Sequence, residues 1–211
     1  MIEKIHKILK NLNMSKLNYT GKLFLIVGPS GTGKGSVIEN LKRIYPGFVF
    51  PVSCTTREMR EGEVEGKTYH YISKEEFETK IEVGDFLEYA IVHETNYYGT
   101  LLKEFTEPLE RGACVVREVD MQGFESIRDI FPKENLVSIF IKVSDSVDLR
   151  QRILDRSPMT PDELDHRMKS FELEMAKADT CDYVVENENG KLGNTIRTVE
   201  KIILDEFKDM Y

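Results

Sequence analysis

A glycine-rich segment, Gly28–Ser36 (GPSGTGKGS), constrains the fold of this chain more than any other feature. It follows an apolar run at residues 22–28 and opens a segment with helical spacing, from Lys34 to Ile44. A glycine loop between a buried strand and a helix directs its backbone N–H groups toward one point, and the helix N-terminus adds partial positive charge there. The lysine of such a loop reaches the β- and γ-phosphates of a nucleotide. We therefore predict a phosphate-binding P-loop made of Gly28, Pro29, Ser30, Gly31, Thr32, Gly33, Lys34, Gly35 and Ser36.

The residue after the P-loop lysine departs from the usual pattern. That position normally carries Ser or Thr, whose hydroxyl helps to hold Mg²⁺, whereas this chain has Gly35 there and Ser36 one place later. Because Mg²⁺ gives up its water reluctantly, we expect it to be held by ATP phosphates and water. An ordinary glycine-rich turn is the alternative interpretation, and the flanking strand and helix disfavour it.

The rest of the chain alternates strand-like and helix-like segments. Apolar runs at residues 113–119 and 136–143 are each followed by a segment with helical spacing. This pattern is typical of a parallel sheet with helices on both faces. We therefore predict an α/β fold of the P-loop NTPase type, with a core formed by residues 21–51 and 101–211.

Three parts of the chain differ from this alternation. Residues 52–100 are rich in Thr, Tyr, Glu and Gly, with short strand-like pieces and one helix near 74–82, and we interpret them as an inserted small α+β lobe. Residues 145–178 are highly charged and helical, and we expect a helical lid at about 145–168. Residues 1–20 carry apolar side chains at helical spacing, which predicts a short amphipathic helical extension.

The composition and the net charge of the chain disfavour some classes of binding partner. The net charge is −8, and sequence-independent binding of DNA or RNA needs a basic face, so we expect no nucleic-acid polymer as a partner. No apolar run approaches membrane-spanning length, so we expect no membrane partner. The cysteines, Cys54, Cys114 and Cys181, form no C-x-x-C pair, which is typical of a reduced, cytoplasmic protein without disulfides or a structural zinc site.

A second motif lies downstream of the P-loop. The segment Val52–Glu63 (VSCTTREMREGE) resembles the S-x-T-T-R-x-x-R-x-G-E motif of the guanylate kinase family. The resemblance covers roughly residues 21–207, and several motifs in one order are far more specific than a single match. It continues in family order through Gly66–Tyr69, Phe86–Ala90, Asn96–Thr100 and Val119–Gly123. It implies a lobe that binds GMP, and phosphoryl transfer from ATP to GMP or dGMP with ATP and Mg²⁺ as cofactors.

The resemblance also implies which residues bind GMP. They are Ser53, Arg57, Arg60, Tyr69, Glu88, Tyr98, Gly99, Thr100 and Asp120. Hydroxyl and guanidinium donors suit a phosphate monoester dianion, and the fork of an arginine matches phosphate oxygens. Without the downstream tyrosines, Arg57 and Arg60 would be interpreted as a pair of solvated surface charges.

Two of these residues, Glu88 and Thr100, are expected to select the base. Guanine presents N1–H and N2–H₂ donors side by side, and a carboxylate accepts both, whereas adenine presents an acceptor at N1. Thr100 can donate to guanine O6, and a site built for hydrogen bonds rejects a ligand that leaves them unpaired. The alternative is that Glu88 is an exposed charge on a strand.

Charged residues end the apolar run at 113–119, where the carboxyl end of a strand lines the ligand crevice in open α/β sheets. The family usually has D-x-D at this point. Asp120 matches the second Asp, which resembles a contact to the acceptor nucleotide. Glu118 replaces the first and is one methylene longer, so we expect any metal or water network there to adapt. Arg117 is unusual in so apolar a strand, and we expect it to pair with an acidic neighbour.

Three arginines, Arg152, Arg156 and Arg167, resemble the lid and transfer arginines of the family. Positive charge over the transferring phosphoryl group stabilises the transition state, so we predict catalytic roles for them together with Lys34. Ion pairing on a helix surface is the alternative for each of the three. Asn187 lies where the family has an asparagine near the adenine of ATP.

These observations predict a nucleoside monophosphate kinase with GMP as its acceptor, and two alternatives stay open. A kinase resembling ribose-bisphosphate phosphokinases would keep the P-loop but lack the Glu88–Thr100 pair. An interaction module of the scaffold-protein kind would bind partners through the same lobe. Such modules typically have a degraded P-loop, whereas Lys34 and the loop glycines are intact in this chain.

Overall fold

The structure, a computed structural model, describes residues 19–92, 96–143, 150 and 160–208. The strands are β1 (Lys22–Val27), β2 (Cys54–Thr55), β3 (His70–Tyr71), β4 (Phe86–Val92), β5 (Asn96–Leu101), β6 (Cys114–Val119), β7 (Leu136–Lys142) and β8 (Tyr183–Glu186). The helices are α1 (Lys34–Ile44), α2 (Lys74–Val83), α3 (Lys103–Glu110), α4 (Met121–Arg128), α5 (Pro161–Met175) and α6 (Leu192–Lys208). Short 3₁₀ turns occur at Lys133–Asn135 and Ala178–Thr180.

The main sheet is parallel and has the strand order β6–β1–β7–β8. Every residue of β1 is buried, because this strand has neighbours on both edges and helices over both faces. A strand in that position is mostly apolar rather than alternating, which is why Leu23–Val27 is a continuous apolar run after Lys22. The predicted strands at 22–28, 113–119 and 136–143 are β1, β6 and β7, and the predicted α/β fold is confirmed.

Hydrophobic clusters lie on both faces of this sheet. On one face Leu25 of β1 belongs to the same cluster as Phe105 of α3. On the other face Phe24 of β1 belongs to a cluster with Leu41 of α1 and Ile203 of α6. Burying one such side chain stabilises the fold by roughly 1.5–3 kcal/mol, so α1 is held firmly against the strand that precedes it.

A second, mixed sheet has the strand order β3–β2–β5–β4 and lies within the predicted inserted lobe. It has its own apolar cluster, in which Phe77 of α2 stacks on Phe86 of β4 at a ring-centroid distance of 4.2 Å. The helix α2 begins at a Ser73 cap, whose side chain accepts from Glu76 N–H, and it ends at Gly84 in the left-handed conformation. The second sheet therefore packs around a small core distinct from that of the main sheet.

The chain enters the second sheet along the edge of the main one. Val49 N–H donates to Cys114 O, and Val116 N–H donates to Val49 O, so this segment runs parallel to β6. It reaches Pro51 opposite Arg117, whose guanidinium donates to Pro51 O at 3.0 Å. The first residues of the lobe are thereby placed beside the carboxyl end of β6.

Two predicted segments fall largely outside the described residues. The N-terminal extension at 1–20 is described only from Tyr19 onward, and the lid at about 145–168 only at Arg150 and from Thr160 onward. Thr160 caps α5 in a capping box with Glu163. Within the ranges that the structure describes, no helix is both long enough and apolar enough to span a bilayer.

Candidate active site

The P-loop joins the end of β1 to the start of α1, and its glycines have backbone angles that other residues rarely adopt. Gly28, Gly31 and Gly33 have φ values of 141°, 89° and 98°. A Cβ on Gly28 would lie 2.8 Å from the backbone oxygen of Ile141, and a Cβ on Gly33 would lie 2.5 Å from Asn187 Nδ2. The loop can therefore take this shape only with glycine at these positions.

The other polar side chains of the loop differ in burial. Thr32 is fully buried, and its hydroxyl donates to Pro29 O at 2.9 Å. Ser30 and Ser36 are exposed. The buried Thr32 hydroxyl therefore stabilises the turn, while the two serines stay accessible to a ligand.

The first turn of α1 offers its backbone N–H groups to the loop. Gly33 caps the helix and has no side chain that could accept from them, so these donors and the positive end of the helix dipole are available to an anion. Lys34 Nζ donates to Gly28 O at 2.6 Å and to Pro29 O at 2.9 Å. The ammonium group therefore lies across the loop, where it would meet bound phosphates.

Asn187, directly after β8, supports the P-loop. Its Nδ2 donates to Thr32 O at 2.8 Å, and its Oδ1 accepts from the Thr195 hydroxyl at 3.1 Å. The residue is only 4% exposed. One end of the amide thus holds the loop and the other is bound to α6, and the predicted contact between Asn187 and adenine stays a prediction.

Arg57 of the lobe forms an ion pair with Glu63. Its Nη1 and Nη2 donate to the two carboxylate oxygens at 3.0 and 2.7 Å. Glu63 also accepts from the Tyr71 hydroxyl at 2.8 Å and from the Arg60 backbone N–H at 2.7 Å. These bonds, that with Arg57 foremost, lower the pKa of Glu63 to about 2. Glu63 thus holds the guanidinium in a defined orientation.

The two predicted phosphate-binding tyrosines lie beside Arg57. Its guanidinium is 5.7 Å from the centroid of the Tyr69 ring, and the Tyr69 and Tyr98 rings meet edge to face at 5.7 Å. The pKa of Arg57 is raised, chiefly by its hydrogen bond with Glu63 and further by one with Tyr98. The side chain of Arg60 is exposed nearby. A guanidinium with two phenol groups is a donor set suited to a phosphate monoester.

The predicted base-selecting residues face each other on β4 and β5. Glu88 and Thr100 are paired in the strand register, and the Thr100 hydroxyl donates to Glu88 Oε1 at 2.6 Å. Ser53 Oγ lies 3.0 Å from Thr100 Oγ1. Thr100 is fully buried, whereas the Glu88 side chain is 42% exposed. The carboxylate is therefore open to a ligand.

Arg117 reaches these residues from β6 of the main sheet. Its Nη2 donates to Ser53 Oγ and to Thr100 Oγ1, both at 2.9 Å. The same nitrogen lies 3.6 Å from Glu88 Oε1. The expectation that Arg117 pairs with an acidic residue is confirmed, and the partner lies across the cleft in the second sheet.

Gly99 permits the close approach of β4 and β5. A Cβ at this position would lie 2.8 Å from Glu88 O and 2.8 Å from Tyr89 Cβ. Any larger residue would push the strands apart beside the Glu88–Thr100 pair. This position contributes to the site through backbone packing.

A cleft of about 370 Å³ separates the start of α1 from the lobe. Gly35 and Ile38 line it on the side of α1, and Ser53 and Tyr69 line it on the side of the lobe. Glu118 also lines the cleft, and a Cβ on Gly35 would lie 3.8 Å from Glu118 Oε2. The two positions that depart from the usual magnesium-handling pattern therefore face each other.

Asp120 caps the helix α4, since its Oδ1 accepts from Gly123 N–H at 2.7 Å. Its side chain is exposed and lines a second cavity of about 360 Å³, together with Glu174 and Lys177. Burial raises the pKa of Glu174. The predicted contact between Asp120 and the acceptor nucleotide stays a prediction.

The predicted lid arginines are described only in part. Arg167 is exposed on α5, and it does not line either of the two cavities described above. Arg152 and Arg156 lie outside the described residues. The predicted roles of all three stay predictions.

Sequence reasoning missed one functional residue and left another without a role. Glu63 lies inside the quoted motif, and its signal was a carboxylate six residues after Arg57. Arg117 was recognised as unusual, but its partners lie on segments far from it in the sequence. Only the packing of the lobe against β6 brings these groups together.

Comparisons with known proteins agree with this arrangement. The family model described as guanylate kinase matches residues 20–206. Guanylate kinase of Clostridium tetani is 42% identical over 183 residues, which span 87% of this chain and 85% of that protein. Guanylate kinase of Thermotoga maritima is 38% identical over 186 residues, spanning 88% of this chain and 87% of that protein.

A solved structure shares the fold. The crystal structure of guanylate kinase from Anaplasma phagocytophilum matches with a TM-score of 0.64 at 28% identity, covering 90% of this chain and 88% of that one. The matched region includes the P-loop, the lobe and the strands that connect them. By sequence and by fold, this chain belongs to the guanylate kinase family.

Proposed function

We propose that this protein transfers the γ-phosphoryl group of ATP to GMP or dGMP, giving ADP and GDP or dGDP. One observation carries the proposal. Gly35 of the P-loop and Ser53 and Tyr69 of the lobe line one cleft, and the carboxylate–hydroxyl pair suited to guanine lies directly behind Ser53, which contacts the Thr100 hydroxyl. A cytoplasmic setting belongs to the proposal, because reduced thiols such as that of Cys114 are usual there.

The P-loop is suited to the phosphates of ATP. Its glycines and the start of α1 present backbone N–H donors, and Lys34 adds a positive charge. These groups are positioned before any reaction, so they need little reorganisation as charge develops on the phosphoryl oxygens.

The lobe is suited to GMP. Arg57, Tyr69 and Tyr98 are a donor set for the 5′-phosphate, and the exposed carboxylate of Glu88 can accept from N1–H and N2–H₂ of guanine. Adenine would place its N1 acceptor against this carboxylate, which leaves both groups without a donor. The base preference follows from that mismatch.

The residues around Gly35 are compatible with Mg²⁺. Glu118 supplies a carboxylate oxygen beside the first turn of α1, and carboxylates are among the ligands that Mg²⁺ prefers. We propose that Glu118 holds Mg²⁺ directly or through water, in place of the usual hydroxyl after the lysine. When bound, the ion would neutralise negative charge on the phosphates of ATP.

Catalysis in this proposal needs no general base. The acceptor is a phosphate oxyanion at neutral pH, so no hydroxyl proton has to be removed. Lys34 would stabilise charge on the donor phosphates, and Arg57 would hold the acceptor in line. Movement of the lobe toward the P-loop would exclude water, which would otherwise hydrolyse ATP.

A coupled assay of ADP release tests the proposal with GMP, dGMP, AMP, UMP and CMP as acceptors. We expect strong preference for GMP, because only guanine offers two adjacent donors to Glu88. Equal turnover of AMP would contradict the assignment of Glu88. No turnover of any acceptor would favour a non-enzymatic interaction module.

Matched lysine variants control this assay. Lys34→Ala removes the charge held across the P-loop, and we expect turnover to fall by about a hundredfold or more. Lys201→Ala changes an exposed lysine of α6 and should retain the parent rate. Equal rates for the two variants would show that the P-loop does not take part in the reaction.

A further inference from the structure

Arg117 lines the cleft but has no part in the phosphoryl transfer proposed above. It belongs to β6, where its neighbours Val115 and Val116 are buried in the sheet. Its side chain leaves the sheet toward the cleft and is 21% exposed. A charged group in this position needs partners, and it finds them on the segment entering the lobe and on β4 and β5.

A guanidinium has N–H donors and no acceptor. Arg117 Nη2 donates to Ser53 Oγ and to Thr100 Oγ1, so each hydroxyl oxygen acts as an acceptor toward Arg117. A hydroxyl can both donate and accept, and its single proton rotates to suit its surroundings. Arg117 therefore forces both hydroxyl protons to point away from itself.

The two hydroxyl protons are left to point toward Glu88. The Thr100 hydroxyl donates to Glu88 Oε1, and the two oxygens are 2.6 Å apart. Since Thr100 donates there, Ser53 is the donor in the 3.0 Å contact between the two hydroxyls. When the N–H groups of guanine take the oxygens of Glu88, the Thr100 proton is released toward O6, which lies next to N1 on the base.

We propose that Arg117 is a specificity-determining positioning residue, which with Ser53 makes the hydroxyl of Thr100 a donor toward the 6-position of the base. The site then offers a donor beside two acceptors, which complements guanine. A 6-amino group would instead meet a hydroxyl donor and a positive charge. This inference rests on the proposed function, and it adds a second base-reading element controlled from the main sheet.

Two acceptor analogues separate this role from that of Glu88. The 5′-monophosphate of 2,6-diaminopurine riboside keeps the 2-amino group but replaces O6 with an amino group and N1–H with an acceptor. IMP keeps O6 and N1–H but lacks the 2-amino group. The ratio of kcat/KM for GMP to that for the diaminopurine nucleotide reports on the 6-position and N1 together, and the ratio for GMP to IMP reports on the contact of the 2-amino group with Glu88. Because Glu88 is the same in the parent and in the Arg117 variants, a change in the first ratio alone reports on the 6-position.

The main variant is Arg117→Leu. We expect its preference for GMP over the diaminopurine nucleotide to fall by about tenfold or more, since a hydrogen bond to a charged group is lost. Its preference for GMP over IMP should stay within about threefold of the parent, because Glu88 is unchanged. The KM for ATP should also stay unchanged, since the hydrogen bonds of Arg117 go to the lobe and to the segment that enters it.

Two further variants of Arg117 separate loss of the proposed role from loss of folding. Arg117→Lys keeps a cation without acceptors and should restore most of the 6-position preference, whereas Arg117→Gln carries an acceptor and should not. The comparison of these two variants tests the proposed role of Arg117 even if Arg117→Leu does not fold. Arg111→Leu, which changes an exposed arginine after α3, is the control for loss of a positive charge.

Other outcomes would overturn the inference. Equal falls in both ratios would mean that Arg117 only supports the lobe, and an unchanged 6-position ratio would mean that it has no part in base selection. Failure of the parent protein to phosphorylate GMP would instead remove the proposed function itself. The two failures are therefore distinguishable.

Discussion

At the scale of single residues, the site depends on charged side chains that are held by other charged side chains. Arg57 is oriented by Glu63, and Glu63 accepts from Tyr71 and from the Arg60 backbone as well. A long side chain loses rotamer freedom when it binds a ligand, and part of that entropy cost is already met when a neighbour holds it in place. The lobe therefore presents an ordered guanidinium, as the proposed binding of the acceptor phosphate requires.

The ion pair between Arg57 and Glu63 predicts how stability depends on pH. The pKa of Glu63 is about 2 in the folded protein, below its ordinary value, so the pair contributes fully above about pH 4.5 and is lost as the pH falls toward about 2. Glu63→Gln should lower the Tm near pH 6, and its difference from the parent should shrink toward pH 3. Thermal melts across this range measure the effect. Glu61→Gln, at an exposed neighbouring position, should show no such trend, and a constant Tm difference for Glu63→Gln would contradict the account.

At the scale of elements, the P-loop is held between two parts of the main sheet. Gly28 lies against the backbone of β7, and Gly33 lies against the Asn187 amide that follows β8. Because both contacts leave no room for a Cβ, the phosphate-binding shape depends on the packing of three neighbouring strands. Loop geometry and sheet geometry are therefore coupled.

Substitution of Gly33 tests this coupling. Gly33→Ala places a Cβ in the left-handed region, which costs about 1–2 kcal/mol, and brings it against Asn187 Nδ2. We expect a lower Tm and a turnover reduced by about tenfold to a hundredfold, because the loop donors are displaced. Gly47→Ala is the matched control, since nothing lies within 4 Å of its Cβ position. Equal activity of the two variants would show that the loop tolerates the change.

Sequence patterns predicted the elements more completely than the contacts between them. The apolar runs and helical spacing locate β1, α1, β6 and β7 because periodicity reflects burial directly. The hydrogen bonds of Asn187 to the P-loop could not be predicted, because they join segments separated by much of the chain. Tertiary contacts of this kind leave no local pattern.

At the scale of the whole molecule, separate hydrophobic clusters support the two halves of the site. The main-sheet clusters hold the P-loop, and the cluster around Phe77 holds the strands of the predicted base-selecting pair. Arg117 and the segment at Val49 and Pro51 connect the halves through polar and backbone contacts. Leu87 of β4 also belongs to a main-sheet cluster, so apolar contacts join the halves as well.

Residues of the candidate site could be predicted where they lie together in one stretch of sequence. The motif from Ser53 to Glu63 could be identified without a structure, because its residues lie in one stretch of sequence. Its meaning for base selection needed Glu88, Thr100 and Arg117, which come from three different strands of two sheets. The proposed role of Arg117 therefore rests on the fold and not on a local sequence pattern.

The central claim is that the phosphoryl group of ATP reaches GMP. Chromatographic quantification of ADP and GDP, in a reaction of the whole chain with ATP, Mg²⁺ and GMP, measures this directly. The account predicts equimolar formation of GDP and ADP, because the closed site would exclude water as an acceptor. ADP formed without GDP would contradict it, since the protein would then hydrolyse ATP rather than transfer its phosphoryl group.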